Sequence, residues 1–268
     1  MSLFVKFLAV NYEHEQIVFF RAFVNFILVF GIMLIRGESL NPPGKKLLFF
    51  RGFVGFLSLI CFFYALIHLP LSISAMLNWC SPVFVFFVSA VALKEHHEKS
   101  LYLWVTLTFV GLYFLFDPKL SQTSLLPLAV GIGILGAMFS SLAFVAVRVA
   151  TKTVGVNGIV LYFTGTATAL SLPLLWGHFH NPVSIKDWAM FLAMGLFATG
   201  GQIGMTMGYR YSKAGLVSTY SLLGAAFSSL WGYVLLDERL AISQWAGMLL
   251  MAIGISFVAW RSVGKPDK

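Results

Sequence analysis

Residues 71–95 read LSISAMLNWCSPVFVFFVSAVALKE. No charged side chain interrupts the run from Leu71 to Leu93, and the block ends abruptly on Lys94-Glu95. A helix rises about 1.5 Å per residue, so this run is long enough to cross a hydrocarbon core of roughly 30 Å. Barrel strands run about ten residues and alternate apolar with polar. Nothing here alternates, so the block reads as a transmembrane helix.

Blocks of the same kind lie on either side of it, at 17–35, 49–67, 101–116, 125–147, 159–176, 188–209, 214–236 and 242–260. Turn-forming residues separate them: Asn41-Pro42-Pro43-Gly44, Asp117-Pro118, Gly155-Val156-Asn157-Gly158 and Asn181-Pro182. Of the 268 residues 59% are hydrophobic and only 10% charged. A water-soluble domain carries about 25% charged residues, so too few remain here to cover a surface in water. The net charge of +8 does not signal nucleic acid, because Lys and Arg are scattered between apolar blocks rather than gathered on a stripe. Cys61 and Cys80 sit inside apolar blocks and form no disulfide framework. The opening residues show no small-residue cleavage site, so no cleavable signal peptide is expected.

An internal repeat sets the architecture. Ala90-Val-Ala-Leu-Lys-Glu95 and Tyr233-Val-Leu-Leu-Asp-Glu238 both close an apolar block on an acid. The same shift of 143 residues takes Gly52 to Gly195 and Gly111 to Gly254. Two repeats follow, residues 1–119 and 120–268, each of five spans. An odd number of spans inverts the second repeat against the first. The first repeat opens on only Ser2–Val10, too short to cross, so part of a first helix is expected to be missing or the start to lie upstream. The fold class expected is therefore an all-α integral membrane protein with nine full transmembrane helices, a truncated first helix and two inverted five-helix repeats. Placing the C-terminus inside puts thirteen of the 18 Lys and Arg, Lys45, Lys46, Arg51 and Arg148 among them, on the cytoplasmic side. Four fall on the other side, the bias that a multi-pass protein shows.

Several motifs resemble the EamA-like family of the drug/metabolite transporter superfamily. They are Phe19-Phe20-Arg21, Arg51-Gly-Phe-Val-Gly55, Phe63-Tyr64-Ala65-Leu66, the run from Leu71 to Pro82, and Leu93-Lys94-Glu95. The likeness covers nearly the whole chain; its first half is most similar to bacterial metabolite permeases, including S-adenosylmethionine carriers. The resemblance implies ten helices, a central cavity and solute movement by alternating access. The short first helix departs from that pattern. The resemblance also implies a bacterial cytoplasmic membrane, and a substrate among amino acids, their derivatives, nucleotide-like metabolites or drugs.

The residues themselves suggest where a solute would bind. Arg21 lies about one turn inside its span, either snorkelling outward or meeting an anionic group in a cavity. Arg51 starts its span and reads as an interfacial anchor. Ser74, Asn78 and Ser81 share a helix face, as do Gln202, Thr206 and Tyr209. In lipid such faces turn inward, toward other helices or a solute. Tyr64, Trp79, Tyr162 and Tyr220 would add stacking or hydroxyl groups. The expected substrate-binding set is Arg21, Tyr64, Asn78, Trp79, Tyr162, Gln202, Thr206 and Tyr220. Pro82 falls mid-span and would bend its helix or free a carbonyl, and Gly131, Gly133, Gly136 and Ala137 would allow close packing.

None of the ten acids is mid-span, which argues against a proton-coupled exporter of cationic drugs. His96, His97, His178 and His180 lie in surface loops without a convergent ligand set, so no metal or other cofactor is expected. Without a deep His, Asp or Glu, Ser and Tyr have no evident base, and catalysis is not expected. The reading is a secondary carrier or permease of a small polar metabolite. A membrane-embedded scaffold or enzyme is the alternative. The expected partners are the solute and the lipid bilayer, with no nucleic acid; a homodimer is left open.

Overall fold

The computed structural model describes residues 4, 7, 8, 11–69, 77–94, 99–116, 127–176, 179–182, 184–224, 226, 227, 230, 234 and 241–263. All that is described in regular structure is helical. The α-helices are α1 (His14–Ile35), α2 (Lys45–His68), α3 (Ser81–Ala92), α4 (Lys99–Phe116), α5 (Pro127–Ala150), α6 (Val156–Ser171), α7 (Ile185–Tyr211), α8 (Ala214–Ser221) and α9 (Ile242–Val263). A 3-10 turn, Leu172–Leu175, extends α6.

Four helices among the described residues are long and apolar enough to cross a membrane: Glu15–Ile35, Pro127–Ala150, Val156–Leu175 and Ile185–Tyr211. Shorter apolar helices cover Leu77–Ala92, Tyr102–Phe114 and Ile242–Phe257. Residues 71–76 and most of 225–240, which the third and eighth expected spans need, lie outside the described residues. So do most of the first-helix remnant, Ser74, Glu95, Glu238, His96, His97 and His178. Large apolar side chains stand open on these helices: Leu128 at 67%, Val91 at 82% and Ile185 at 83% exposure. Patches like these are a liability in water and the natural outer face in lipid. The protein is an all-helical, multi-pass membrane protein.

The chain forms two compact units. Unit 1 comprises Met1–Leu57 and Ala146–Tyr211; unit 2 comprises Ser58–Val145 and Ser212–Lys268. Each draws on both parts of the sequence.

In unit 1, α1 packs along α6 and α7. One core cluster gathers Tyr12, Ile17 and Phe20 with Phe191 and Met194; another gathers Val29 and Met33 with Val160 and Leu161. The turn from α1 to α2 needs left-handed backbone at Gly37 (φ 63°) and Gly44 (φ 74°), a region glycine enters without a Cβ penalty. The end of the unit where α1 begins is tied by polar side chains. Gln16 is fully buried, donates from Nε2 to the His180 carbonyl (2.6 Å) and accepts from the His180 amide (2.8 Å). Tyr12 donates to Asp187 Oδ2 at 2.8 Å. Gln16→Leu keeps the volume but strands both His180 groups, so it should cost about 2–3 kcal/mol. The check is the thermal midpoint of the purified protein in detergent. An unchanged midpoint would show that the paired amide bonds carry no net stability.

In unit 2, α4 packs along α9 and α3 packs along α8. Pro82 sits in the first turn of α3, where a proline costs the helix no bond. The helical register breaks just before it, with Cys80 accepting from Val83 and donating to Leu77 at i+3 spacing. The mid-span bend expected at Pro82 is thus a break at Cys80. Gly133 and Gly136 seat Leu77 and Cys61 as close packing requires, and Ala137 is buried. Among the described residues nothing lies within 4 Å of a would-be Cβ at Gly131, so no close contact is seen there.

Candidate solute site

Unit 1 holds four of the eight expected residues, Arg21, Tyr162, Gln202 and Thr206. Arg21 is half-buried on α1, and among the described residues it has no ion pair. Asn25 lies one turn further on the same face, only 3% exposed, with Oδ1 unbonded. Tyr162 meets Phe49 edge-on (5.4 Å, 79°) where α2 passes α6. Thr206 is buried, and its hydroxyl donates to the Gln202 carbonyl of its own helix (2.7 Å). Gln202 is half-buried one turn away.

Arg51 departs from its reading as an interfacial anchor. Its side chain is 3% exposed, and the guanidinium carbon lies 4.1 Å from the centre of the Phe163 ring. Among the described residues its Nε has no hydrogen-bond partner. Gly55 makes the seat: a Cβ there would come 2.5 Å from Arg51 Nη1 and 2.9 Å from Phe163. The cause is the approach of α6, which covers with an aromatic face the side of α2 that bears the arginine. Sequence reasoning missed Asn25 as well, although its spacing of four from Arg21 was a usable signal.

Unit 2 holds Tyr64, Asn78, Trp79 and Tyr220. Trp79 and Tyr220 come together in one cluster with Leu112, Leu222 and Met251. The Trp79 ring lies against Gly224, where a Cβ would come 2.7 Å from Cη2. Tyr64 belongs to a different cluster, with Ala65, Leu69, Leu77 and Ala129, and stacks on His68 (4.2 Å, 23°). Asn78 is half-buried beside Trp79 in sequence. Among the groups sequence reasoning did not single out, Ser58 is buried, donates to the Gly136 carbonyl (2.9 Å) and bonds Ser140 (2.5 Å).

A cleft of about 510 Å³ opens in unit 1 between the end of α1, the α5–α6 turn and the end of α7. Arg36, Glu38, Asn157 and Arg210 line it, with Asn157 donating to Glu38 (2.8 Å) and Arg36 4.0 Å from the same carboxylate. None of the eight expected residues lines this cleft.

The chain and its helical fold are similar to known proteins. The pseudopaline exporter of Pseudomonas aeruginosa is 31% identical over 253 residues, spanning 94% of this chain and 88% of its own. An uncharacterized transporter of Helicobacter pylori is 26% identical over 261 residues, 94% of this chain and 87% of its own. A solved crystal structure, 16% identical, superimposes with a TM-score of 0.81 over 93% of this chain and 89% of that one, a likeness of fold alone. The model of the EamA-like transporter family matches residues 1–117 and 127–260. That covers nearly the whole chain, and the family is one of transporters rather than enzymes: the protein belongs to the EamA-like transporter family.

Proposed function

We propose that this protein is a secondary carrier that moves a small polar metabolite, an amino acid or a derivative of one, across a bacterial cytoplasmic membrane by alternating access. The observation that carries the reading is the family match in two consecutive segments, 1–117 and 127–260. Paired segments of that kind support two repeats of opposite orientation, residues 1–119 and 120–268, with the C-terminus in the cytoplasm. The two repeats rock about a central site. The binding set is Arg21, Tyr64, Asn78, Trp79, Tyr162, Gln202, Thr206 and Tyr220. Arg21 attracts a negative group, Asn78 and Gln202 orient polar groups, and the aromatic residues stack. The exporter at 31% identity supports outward movement as the direction to expect.

The test is exchange in proteoliposomes loaded with a bacterial metabolite extract and read by mass spectrometry. Wild type should move a small set of polar metabolites, and Arg21→Ala should slow them about tenfold or more, the loss of one charge-assisted contact. If wild type moves nothing in either direction, the carrier reading falls and the scaffold reading takes its place.

A further inference from the structure

Among the described residues the least balanced group is Arg51. A guanidinium kept from water and lipid headgroups costs several kcal/mol unless it is paired. Among the described residues no carboxylate pairs with Arg51; its company is the face of the Phe163 ring. A ring face offsets part of that cost, while the Nε left without a hydrogen bond among the described residues adds to it. A static anchor would not need this arrangement. The 143-residue shift places Met194 at the corresponding position of the second repeat, and Met194 is fully exposure-free in the core around Phe191. An apolar side chain therefore does the packing at that place in the fold. The glycine at 55 points the same way, since it gives up a side chain to seat the guanidinium against Phe163.

We propose that Arg51 is the counter-charge for a carboxylate on the transported solute, and that Phe163 is the partner this carboxylate displaces. The proposal deepens the carrier reading, on which it rests, by naming an anionic substrate class and a residue outside the expected binding set. A carboxylate accepts from Nε and Nη together in the planar fork geometry that a guanidinium offers and an ammonium does not.

The experiment reads binding separately from transport. Purified protein in detergent is heated with a bacterial metabolite extract, and with the same extract after its carboxylates are converted to amides. Transport of both extracts is then measured in vesicles of pure phosphatidylcholine and in vesicles containing phosphatidylglycerol. Variants are Arg51→Met, Arg51→Lys and Phe163→Leu, each accepted only if it elutes as a single peak like wild type. Wild type should be stabilised by the native extract and not by the amidated one. Arg51→Met should weaken that response about 10- to 100-fold in the concentration required. Arg51→Lys should fall between, and Phe163→Leu should strengthen binding by removing the competing ring. Native and amidated extracts acting alike on wild type would overturn the proposal, as would an unaltered preference in Arg51→Met. An effect of Arg51→Met present only with phosphatidylglycerol would assign the anion to lipid and also overturn it. Carboxylate-dependent binding without transport would sink the carrier reading and leave the Arg51 site standing. Should Arg51→Met fail to fold, a wild-type preference kept in Arg51→Lys and sharpened in Phe163→Leu supports the proposal, and its absence refutes it.

Discussion

Gly111→Ala should destabilise the protein by about 2 kcal/mol or more. A Cβ at position 111 would lie 2.7 Å from both the Gly247 carbonyl oxygen and the Met251 amide nitrogen of α9. These are backbone atoms, and no rotamer change moves them away. The contact is reciprocal: a Cβ at Gly254 of α9 would collide with Thr108 Oγ1 and come 2.9 Å from the Trp104 carbonyl of α4. The two helices lie along each other over this seam, and Trp104 stacks on Phe257 with ring centroids 3.9 Å apart and nearly parallel planes. One added methyl therefore forces the helices apart and thins the stack together with the cluster around Leu112 and Met251. Overpacking against backbone that cannot move aside falls at the upper end of the usual range, about 3 kcal/mol, and alanine's better helix propensity offsets about 1. Gly131→Ala is the control. Its Cβ meets nothing within 4 Å, so only the propensity gain remains and the midpoint should hold or rise. Thermal unfolding of both variants in detergent decides the matter; equal midpoints would mean that α4 and α9 do not approach so closely.

That seam also shows what the sequence makes legible. Gly111 and Gly254 are related by the repeat shift, and each faces the other's helix. The pair Gly52 and Gly195 likewise seats β-branched side chains, Thr166 and Val24. Apolar runs and paired glycines are local signals, because lipid demands length and close packing demands small residues. Helix positions α1, α4 and α7 accordingly begin within three residues of their expected starts. The candidate site is less legible, because its chemistry depends on what another helix brings. Arg51, seven residues into α2, looks interfacial until α6 places Phe163 over it. Thr206 has a periodicity that suits solute contact, yet its hydroxyl already serves the Gln202 carbonyl. Trp79 and Tyr220 share a cluster that no spacing reveals, since they are distant in sequence. The cleft in unit 1 is built mostly from turn residues, on which helical periodicity is silent.

Arg148 provides the second large effect, and it separates a topological role from a structural one. In the sequence it counts as one of the positive charges that hold a loop in the cytoplasm. In the structure it occupies the last turn of α5, and its Nη1 donates to the carbonyls of Tyr209 and Arg210, each at 3.0 Å. Those carbonyls belong to the last turn of α7, where helical carbonyls lack partners within the helix and a positive charge is favoured. The chain leaves unit 1 directly afterwards, at Tyr211. Arg148→Met retains most of the apolar stem and removes both bonds, for an expected loss of about 2–3 kcal/mol. Arg148→Lys keeps the charge, and with it any topological signal, but an ammonium on a flexible stem replaces the planar fork. It should recover no more than about half of the loss. The measurements are the thermal midpoint and the rate of proteolysis after Lys213, which should rise in Arg148→Met as the end of α7 frays. If Arg148→Lys matches wild type in both, charge alone is what position 148 supplies, and the cap on α7 is incidental.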